Sequence, residues 1–265
     1  MRRTSSHWRP SVIRLLRAVL LDLGDTLVLL DRPWEEVFNA GLEAIYAFLA
    51  KHELQADFER FSKTFVKAFE EASATSDIYK IEIPMEEIIS KALRKLKFKP
   101  SDEPLVHSAM LEWYRPEIEA WQLYPDTIQS LDALRSTGFQ MGLISNSRSE
   151  WAVNTILEKF DLQKFFRVIV TSAELRIRKP RAGIFMRALN ALNVRPSESV
   201  FVGDSLEADI IGARSLGMRA IHLRRKTEER AITADPDATV DSLSMAVDQI
   251  SVWKNASVVT VSASR

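Results

Sequence analysis

The spacing of hydrophobic positions changes twice along this chain of 265 residues. A short apolar run at 18–21 predicts a buried strand that ends at Asp22. From Trp34 to Trp113, apolar residues recur every three or four positions in four stretches, which predicts amphipathic helices. After Pro125, helical segments alternate with short apolar runs. These runs lie at 141–144, 168–170, 199–202 and 219–222.

The alternation of helices and strands predicts an α/β fold with a Rossmann-like, doubly wound parallel sheet. The helical stretch that follows the first strand is then an inserted α-helical cap domain. We predict an N-terminal extension over residues 1–16, a core over 17–30 and 122–250, a cap over 31–121, and a C-terminal tail over 251–265. The join from core to cap, residues 28–33, is predicted to be a hinge loop.

Composition excludes several classes of function. Lys plus Arg and Asp plus Glu both number 36, so no overall basic field favours nucleic acid or an anionic membrane. The chain has no cysteine, which excludes disulfides, thiolate metal sites and cysteine nucleophiles. No segment approaches the roughly 20 apolar residues of a membrane helix. We therefore expect a cytoplasmic protein with neither nucleic-acid nor membrane partners, and the sequence indicates no oligomeric state.

Polar residues follow the predicted strands where ligands bind in a parallel sheet, at the carboxyl ends. Asp22 ends the first strand, Ser145 ends the second, and Asp204 follows a later one. Lys179 lies in the connection after the strand at 168–170. Each could alone be a helix cap or a turn residue, because Asp, Ser and Asn are common at both. Their joint occurrence at one edge of one sheet indicates an active site.

Four segments together resemble the ordered motifs of the haloacid dehalogenase-like superfamily. They are DLGDT at 22–26, ISNS at 144–147, RKP at 178–180 and GDSLEAD at 203–209. The helical insert is similar to the C1-type cap of that superfamily. The resemblance covers roughly residues 18–225.

The resemblance implies a phosphatase-type hydrolase with Asp22 as its nucleophile. Asp22 would attack phosphorus and form an aspartyl-phosphate, which water then hydrolyses. Mg²⁺ would be the cofactor, held by Asp22, the backbone carbonyl of Gly24, Asp204 and Asp209, since this ion prefers oxygen ligands. Lys179 would offset the negative charge on Asp22 and on the phosphoryl oxygens.

The substrate implied by the resemblance is a small phosphorylated metabolite. Ser145 and amides near Asn146 would donate hydrogen bonds to the phosphoryl oxygens as charge shifts onto them. Thr26 would support the loop that carries the nucleophile and is grouped with the phosphate-binding residues, together with Lys179.

Gly24 breaks the family pattern. Phosphatases of this type carry an aspartate there, which protonates the leaving group and then activates water. The backbone carbonyl that contacts the metal survives, but the acid/base side chain does not, and such catalysis is typically worth about 10²–10⁴-fold in rate. Asp25, where the family usually has glycine, is the candidate substitute.

Three alternatives follow from this departure. The chain is a 2-haloacid dehalogenase, a phosphonatase-like hydrolase, or a weakly active relative that binds a phosphorylated ligand or a protein. Family dehalogenases lack the motif-four aspartate that is present here as Asp204, and phosphonatases need a cap lysine that the sequence does not single out.

Among the remaining features, we predict structural roles for two and a substrate-binding role for a third. The phenylalanines at 58, 61, 65 and 69 form cap core. Residues 224–226, Arg-Arg-Lys, form a solvated strand end. Arg176 and Arg178, which flank the active-site lysine, are candidate substrate contacts.

Overall fold

The computed structural model describes residues 15–99, 103–225 and 233–262, so most of the predicted extension over 1–16 and all of Lys226 lie outside the described residues. The strands are β1 Ala18–Leu21, β2 Val28–Leu30, β3 Trp121–Leu123, β4 Gln140–Ser145, β5 Val168–Thr171, β6 Ser199–Gly203, β7 Arg219–Leu223 and β8 Ala238–Val240. The helices are α1 Trp34–Lys51, α2 Phe58–Tyr79, α3 Met85–Lys95, α4 Glu103–Ala120, α5 Thr127–Ser136, α6 Glu150–Lys159, α7 Ser172–Leu175, α8 Ala182–Leu192, α9 Gly212–Ser215 and α10 Leu243–Ser262.

Six strands form one sheet in the order β5-β4-β1-β6-β7-β8, and every neighbouring pair is parallel. β1 lies in the middle, with Leu20 in register with both Gly142 and Phe201. All four of its residues are buried, as expected for a strand covered on both faces. The predicted α/β, Rossmann-like sheet is confirmed.

Alternate residues of β1 enter different hydrophobic layers, because successive side chains of a strand point to opposite faces. Val19 and Leu21 pack in the layer that includes residues of α5, α6 and α10. Ala18 and Leu20 pack in the layer that includes residues of α8. The sheet therefore holds Asp22 at the end of a fully buried strand.

Helices α1 to α4 form the helical cap, with a hydrophobic core of their own. Phe61, Phe65 and Trp113 are almost fully buried there, so the predicted cap-core role of the phenylalanine stripe holds for its central members. Gly41 allows α1 and α4 to approach, because a Cβ at this position would come within 2.9 Å of the Trp113 carbonyl oxygen.

The two crossings between core and cap lie side by side. β2 and β3 pair as an antiparallel ribbon in which Leu30 is in register with Trp121. The prediction of a loop over 28–33 is therefore wrong for residues 28–30, which form a strand. A run of only three residues has no periodicity that separates a strand from a loop.

A second contact between cap and core is formed by the residues that directly follow α2. Ile81 bridges to Ile177 in antiparallel fashion, and the Arg178 amide donates to the Lys80 carbonyl at 3.1 Å. Glu82, whose side chain is fully buried, forms ion pairs with Arg178 at 2.8 Å and with Arg148 at 3.3 Å. Arg178, predicted as a candidate substrate contact, thus has a structural partner from the cap.

Two further predictions are corrected by the structure. The chain forms α10 across the predicted boundary at residue 251, so the tail continues a helix whose apolar residues, such as Ile250, pack on the core. Arg225 is not a solvated strand end. Its side chain is 10% exposed, and its guanidinium lies 3.8 Å from the centroid of the Tyr124 ring. Within the described ranges, no helix is long and apolar enough to cross a membrane.

Candidate active site

A cavity of about 330 Å³ opens at the carboxyl end of the sheet, beneath the cap. The parallel topology brings the polar ends of β1, β4 and β6 to this edge. Asp22, Ser145, Lys179, Asp204 and Asp209 all line the cavity. The structure thus brings together the residues that four distant segments of the sequence predicted to meet.

Lys179 forms the centre of the charged network. Its ammonium Nζ lies 2.5 Å from Asp22 Oδ1 and 2.7 Å from Asp209 Oδ1. The same group donates to the carbonyl of Ile144 at 3.0 Å. Since Lys179 is 3% exposed, three oxygen partners replace the water that its charge has lost.

Asn146 fixes the backbone of this lysine. Its side-chain oxygen accepts from the Lys179 amide at 2.9 Å, and its side-chain nitrogen donates to the Lys179 carbonyl at 3.2 Å. Asn146 and Ser145 both line the cavity. The predicted phosphate-binding role of Asn146 is therefore accompanied by a positioning role that its sequence motif does not reveal.

The electrostatics of the site are dominated by buried negative charge. Burial raises the pKa of Asp22 to about 6, although the neighbouring Lys179 charge opposes the shift. Burial, followed by the charges of Asp22 and Asp209, raises the pKa of Asp204 to about 8. Burial disfavours the charge of Lys179, but Asp209 and Asp22 outweigh this effect, so its pKa lies above the ordinary value. One cation does not balance three carboxylates.

These carboxylates meet the requirements of a hard divalent cation. One oxygen from each of Asp22, Asp204 and Asp209 lies within 4.8 Å of the others. The oxygen donor set and the unbalanced negative charge fit Mg²⁺ or a similar ion. The backbone around them is also fixed, since His222 Nε2 donates to the Asp204 carbonyl at 3.0 Å.

Gly203 makes room for the deepest of these carboxylates. A Cβ at this position would overlap the Asp209 carboxylate. Asp209 lies in a π-helical turn, Leu206–Ile211, which precedes α9, whereas the sequence predicted a regular helix there. The Ser205 amide donates to Asp209 Oδ2 at 3.1 Å, which fixes the carboxylate beside Lys179.

The loop after Asp22 brings only some of its residues to the cavity. Gly24 and Asp25 line the cavity, and Asp25 has a left-handed backbone with φ of 53°. Thr26 is fully buried and does not line the cavity, and its hydroxyl has no hydrogen-bond partner among the residues described. The structure therefore does not bring Thr26 to a bound phosphate, and we assign it a structural place in the loop.

Two cavity residues were missed by the sequence analysis. Glu117, near the end of α4, and Trp121, at the start of β3, both line the cavity. They belong to no motif, and Glu117 looks like any polar residue of an amphipathic helix. The only available signal was Trp121, a large aromatic residue where the chain returns from the cap to the core.

The comparison with protein families agrees with this geometry. Residues 16–217 match the family described as haloacid dehalogenase-like hydrolase. The chain belongs to this family. It is therefore a hydrolase whose fold, motifs and inserted helices agree with the resemblance found in the sequence.

Individual relatives extend this picture. The chain is 28% identical over 213 residues to a glyceraldehyde 3-phosphate phosphatase of Methanopyrus kandleri, covering 80% of this chain and 85% of the relative. Among solved structures, it is similar to a 2-haloacid dehalogenase of Pseudomonas syringae pv. Tomato, with a TM-score of 0.67, 23% identity and coverage of 90% and 100%. A HAD phosphatase of Thermococcus onnurineus gives a TM-score of 0.58 and 24% identity, with coverage of 89% and 98%. Because enzymes of both activities share the fold, the fold alone does not choose between them.

Proposed function

We propose that the protein is a Mg²⁺-dependent phosphomonoesterase that acts on a small phosphorylated sugar through an aspartyl-phosphate on Asp22. The observation that carries this proposal is the cluster of Asp22, Asp204 and Asp209 around Lys179 in one cavity. The glyceraldehyde 3-phosphate phosphatase relative supports the substrate class. Residues 31–121 would act as the substrate-selecting cap.

The chain's own groups supply most of the reaction. Asp22 Oδ2 is the oxygen available for attack on phosphorus, because Oδ1 is paired with Lys179. Lys179 stabilises the carboxylate form of Asp22 and is placed to neutralise charge on the phosphoryl oxygens. The Ser145 hydroxyl and the Asn146 amide would be further donors, since both residues line the cavity.

Asp22, Asp204, Asp209 and the Gly24 carbonyl would hold the cation. When bound, Mg²⁺ supplies the positive charge that lets an anionic nucleophile approach an anionic phosphate. Without that charge, burial and mutual repulsion keep Asp204 protonated near neutral pH, as its raised pKa shows.

Asp204 also argues against the dehalogenase alternative. Displacement of halide from a haloacid by a carboxylate needs no metal, so a third buried carboxylate beside the nucleophile would only cost stability. In a metal-dependent phosphatase, the same carboxylate is a ligand. The phosphatase is therefore the activity that uses all three carboxylates of the cluster Asp22, Asp204 and Asp209.

The test measures phosphate release from 4-nitrophenyl phosphate and from glyceraldehyde 3-phosphate, in MgCl₂ and in EDTA. We expect turnover in Mg²⁺, none in EDTA, and none in Asp22→Asn. Asp132→Asn serves as the matched control, since Asp132 lies on the exposed side of α5 and forms a surface ion pair with Arg135.

Two results would overturn the proposal. Chloride release from 2-chloropropionate in EDTA, abolished in Asp22→Asn, would make the protein a dehalogenase. Saturable binding of phosphate esters without any turnover would make it a phospho-ligand-binding relative.

A further inference from the structure

The space beside Gly24 is taken by an indole ring. Trp121 Cη2 lies 3.4 Å from the position that a Cβ of residue 24 would occupy. A Cβ there would already touch the ring, and a longer side chain would compete with it for the same space. An aspartate at position 24, which the family pattern predicts, would therefore meet the indole of Trp121.

The tryptophan is hydrogen-bonded to a second carboxyl group. Trp121 Nε1 donates to Glu117 Oε1 at 3.3 Å, and both residues line the cavity that contains Asp22. The indole of Trp121 therefore lies beside Gly24, which has no carboxyl group, and is hydrogen-bonded to Glu117, which has one.

The end of α4, which carries Glu117, is fastened to the core. Lys159 of α6 donates to the carbonyls of Ile118, Glu119 and Trp121 at 2.8, 3.0 and 2.8 Å. These are carbonyls that the end of a helix leaves without intrahelical partners. Glu117 is thus held against the core although it belongs to the cap.

Glu117 lies where two cavities meet. A second cavity of about 270 Å³ extends towards the cap, and Glu117, Asn146 and Ser147 line both cavities. A phosphoryl group on Asp22 would lie in the first cavity, and the adjoining second cavity offers room for a leaving group. The bond that breaks joins these two groups, and Glu117 is the carboxyl group at their junction.

The surroundings of Glu117 favour a carboxyl group that exchanges protons near neutral pH. Burial raises its pKa to about 7, while the hydrogen bond from Trp121 opposes the shift. On the nucleophile side, the charged groups of the shared cavity are Asp22, Asp25, Lys179, Asp204 and Asp209. On the cap side, the charged and titratable groups are Asp77, Tyr114, Arg148 and Arg178. Within the described part of the chain, none of these forms a salt bridge with Glu117.

We infer that Glu117 is the catalytic acid and base of this enzyme, in place of the side chain that is absent at Gly24. The inference rests on the proposed phosphatase function. In the first step, Asp22 attacks phosphorus, the bond to the leaving oxygen breaks, and Glu117 gives its proton to that oxygen, which releases an alcohol. In the second, water attacks the aspartyl-phosphate, Glu117 takes a proton from that water, and the bond between phosphorus and Asp22 breaks. Phosphate leaves, and both side chains return to their starting states.

Asp25 is less suited to this role. It lies on the metal side of the cavity, since its charge contributes to the raised pKa of Asp204. Asp25 lines the first cavity only, whereas Glu117 lines both the first cavity and the second.

The experiment compares Glu117→Gln with the wild type in MgCl₂, on substrates with a poor and a good leaving group. For glyceraldehyde 3-phosphate, whose leaving alkoxide needs a proton, we expect kcat to fall by about 10²–10⁴-fold. For 4-nitrophenyl phosphate, the first step needs no proton, so a burst of one nitrophenolate per enzyme should precede slow turnover. A merely structural defect would slow that burst as well. Glu119→Gln, an exposed neighbour on α4, is the matched control and should behave as wild type.

The pH profile gives an independent readout. For wild type, kcat/KM on glyceraldehyde 3-phosphate should decline as pH rises through about 7, because Glu117 loses its proton. Glu117→Gln should lack this decline. Wild-type turnover of glyceraldehyde 3-phosphate by Glu117→Gln, or a comparable loss in Asp25→Ala with Glu117 unchanged, would overturn the inference. A wild-type protein that hydrolyses no phosphomonoester would instead refute the proposed function.

Discussion

Glu82 of the cap and Arg178 of the core form an ion pair with an N–O distance of 2.8 Å, and the glutamate side chain has no exposed surface. The Ser172 hydroxyl donates to the same carboxylate at 2.6 Å, and Arg148 adds a second cation at 3.3 Å. Cap and core are therefore joined through one buried carboxylate that Arg178, Arg148 and Ser172 all contact.

Removing the charge of Glu82 should strongly destabilise the protein. Glu82→Gln leaves Arg178 and Arg148 without a counter-ion in a buried place, which costs about 3 kcal/mol in the free energy of unfolding. Urea denaturation measures this difference. The control is Glu87→Gln, whose pair with Arg176 at 2.5 Å is 55% exposed on both sides and should contribute less than about 1 kcal/mol. Equal effects of the two substitutions would contradict the assignment of Glu82 as a buried anchor.

The metal-free protein should lose stability as pH rises from about 4 to about 8. Asp204 has a pKa of about 8 when folded, against 3.8 ordinarily. Over this interval, the folded state holds a proton that the unfolded chain has released, so stability falls as pH rises. Asp204→Asn should reduce the fall, as measured by urea denaturation in EDTA at pH 5 and pH 8.

Added Mg²⁺ provides the companion measurement. An ion that binds the folded state alone raises Tm further as its concentration exceeds Kd, so MgCl₂ should stabilise the wild type at pH 8 and not Asp204→Asn. A variant with the wild-type pH slope and the wild-type response to Mg²⁺ would show that Asp204 is outside the cation site.

Gly203→Ala should disable the site while leaving the sheet intact. The added Cβ would displace the Asp209 carboxylate from Lys179, and a shift of about 1 Å in an active-site group can cost about 10²-fold in rate. Turnover of 4-nitrophenyl phosphate measures the loss, and circular dichroism checks the fold. Gly183→Ala is the control, since its Cβ would meet only the flexible end of Ile177 at 3.3 Å. Full activity in Gly203→Ala would mean that Asp209 can move without consequence.

Asp25→Gly should stabilise the protein by about 1 kcal/mol, because a left-handed backbone is costly for residues with a Cβ and φ is 53° here. The substitution also removes a negative charge near Asp204. Asp25→Asn separates the two effects, since it removes the charge and keeps the Cβ. If the glycine variant is no more stable than the asparagine variant in urea, backbone strain at this position is negligible.

The sequence predicted those parts of the structure that depend on local patterns. Asp22, Ser145 and Asp204 were placed correctly because parallel strands bring their carboxyl ends to one edge. Lys179 was placed by its motif. Each of these residues lies at the end of a strand or within a short motif, so the residues next to it in the sequence suffice to predict its position.

Other residues depend on contacts between distant segments. Glu82 acquires its role only when the cap packs on Arg148 and Arg178, and no pattern near Glu82 indicates that partnership. Glu117 faces the cavity because α4 ends against Lys159, which belongs to α6 and is distant from Glu117 in the sequence. The helix that crosses residue 251 was missed because its end is rich in β-branched residues, which favour strands locally.

The pairing of β2 with β3 affects which changes the helical insert can tolerate. Because Leu30 and Trp121 are already neighbours, the whole helical insert begins and ends at one point of the core, like the turn of a hairpin. Helices between those two residues can lengthen, shorten or be replaced without changing the order of the strands. Trp121 stands at that junction and also fills the space beside Gly24. An exchange of the insert that altered Trp121 or its hydrogen-bond partner Glu117 would therefore change the cavity that contains Asp22.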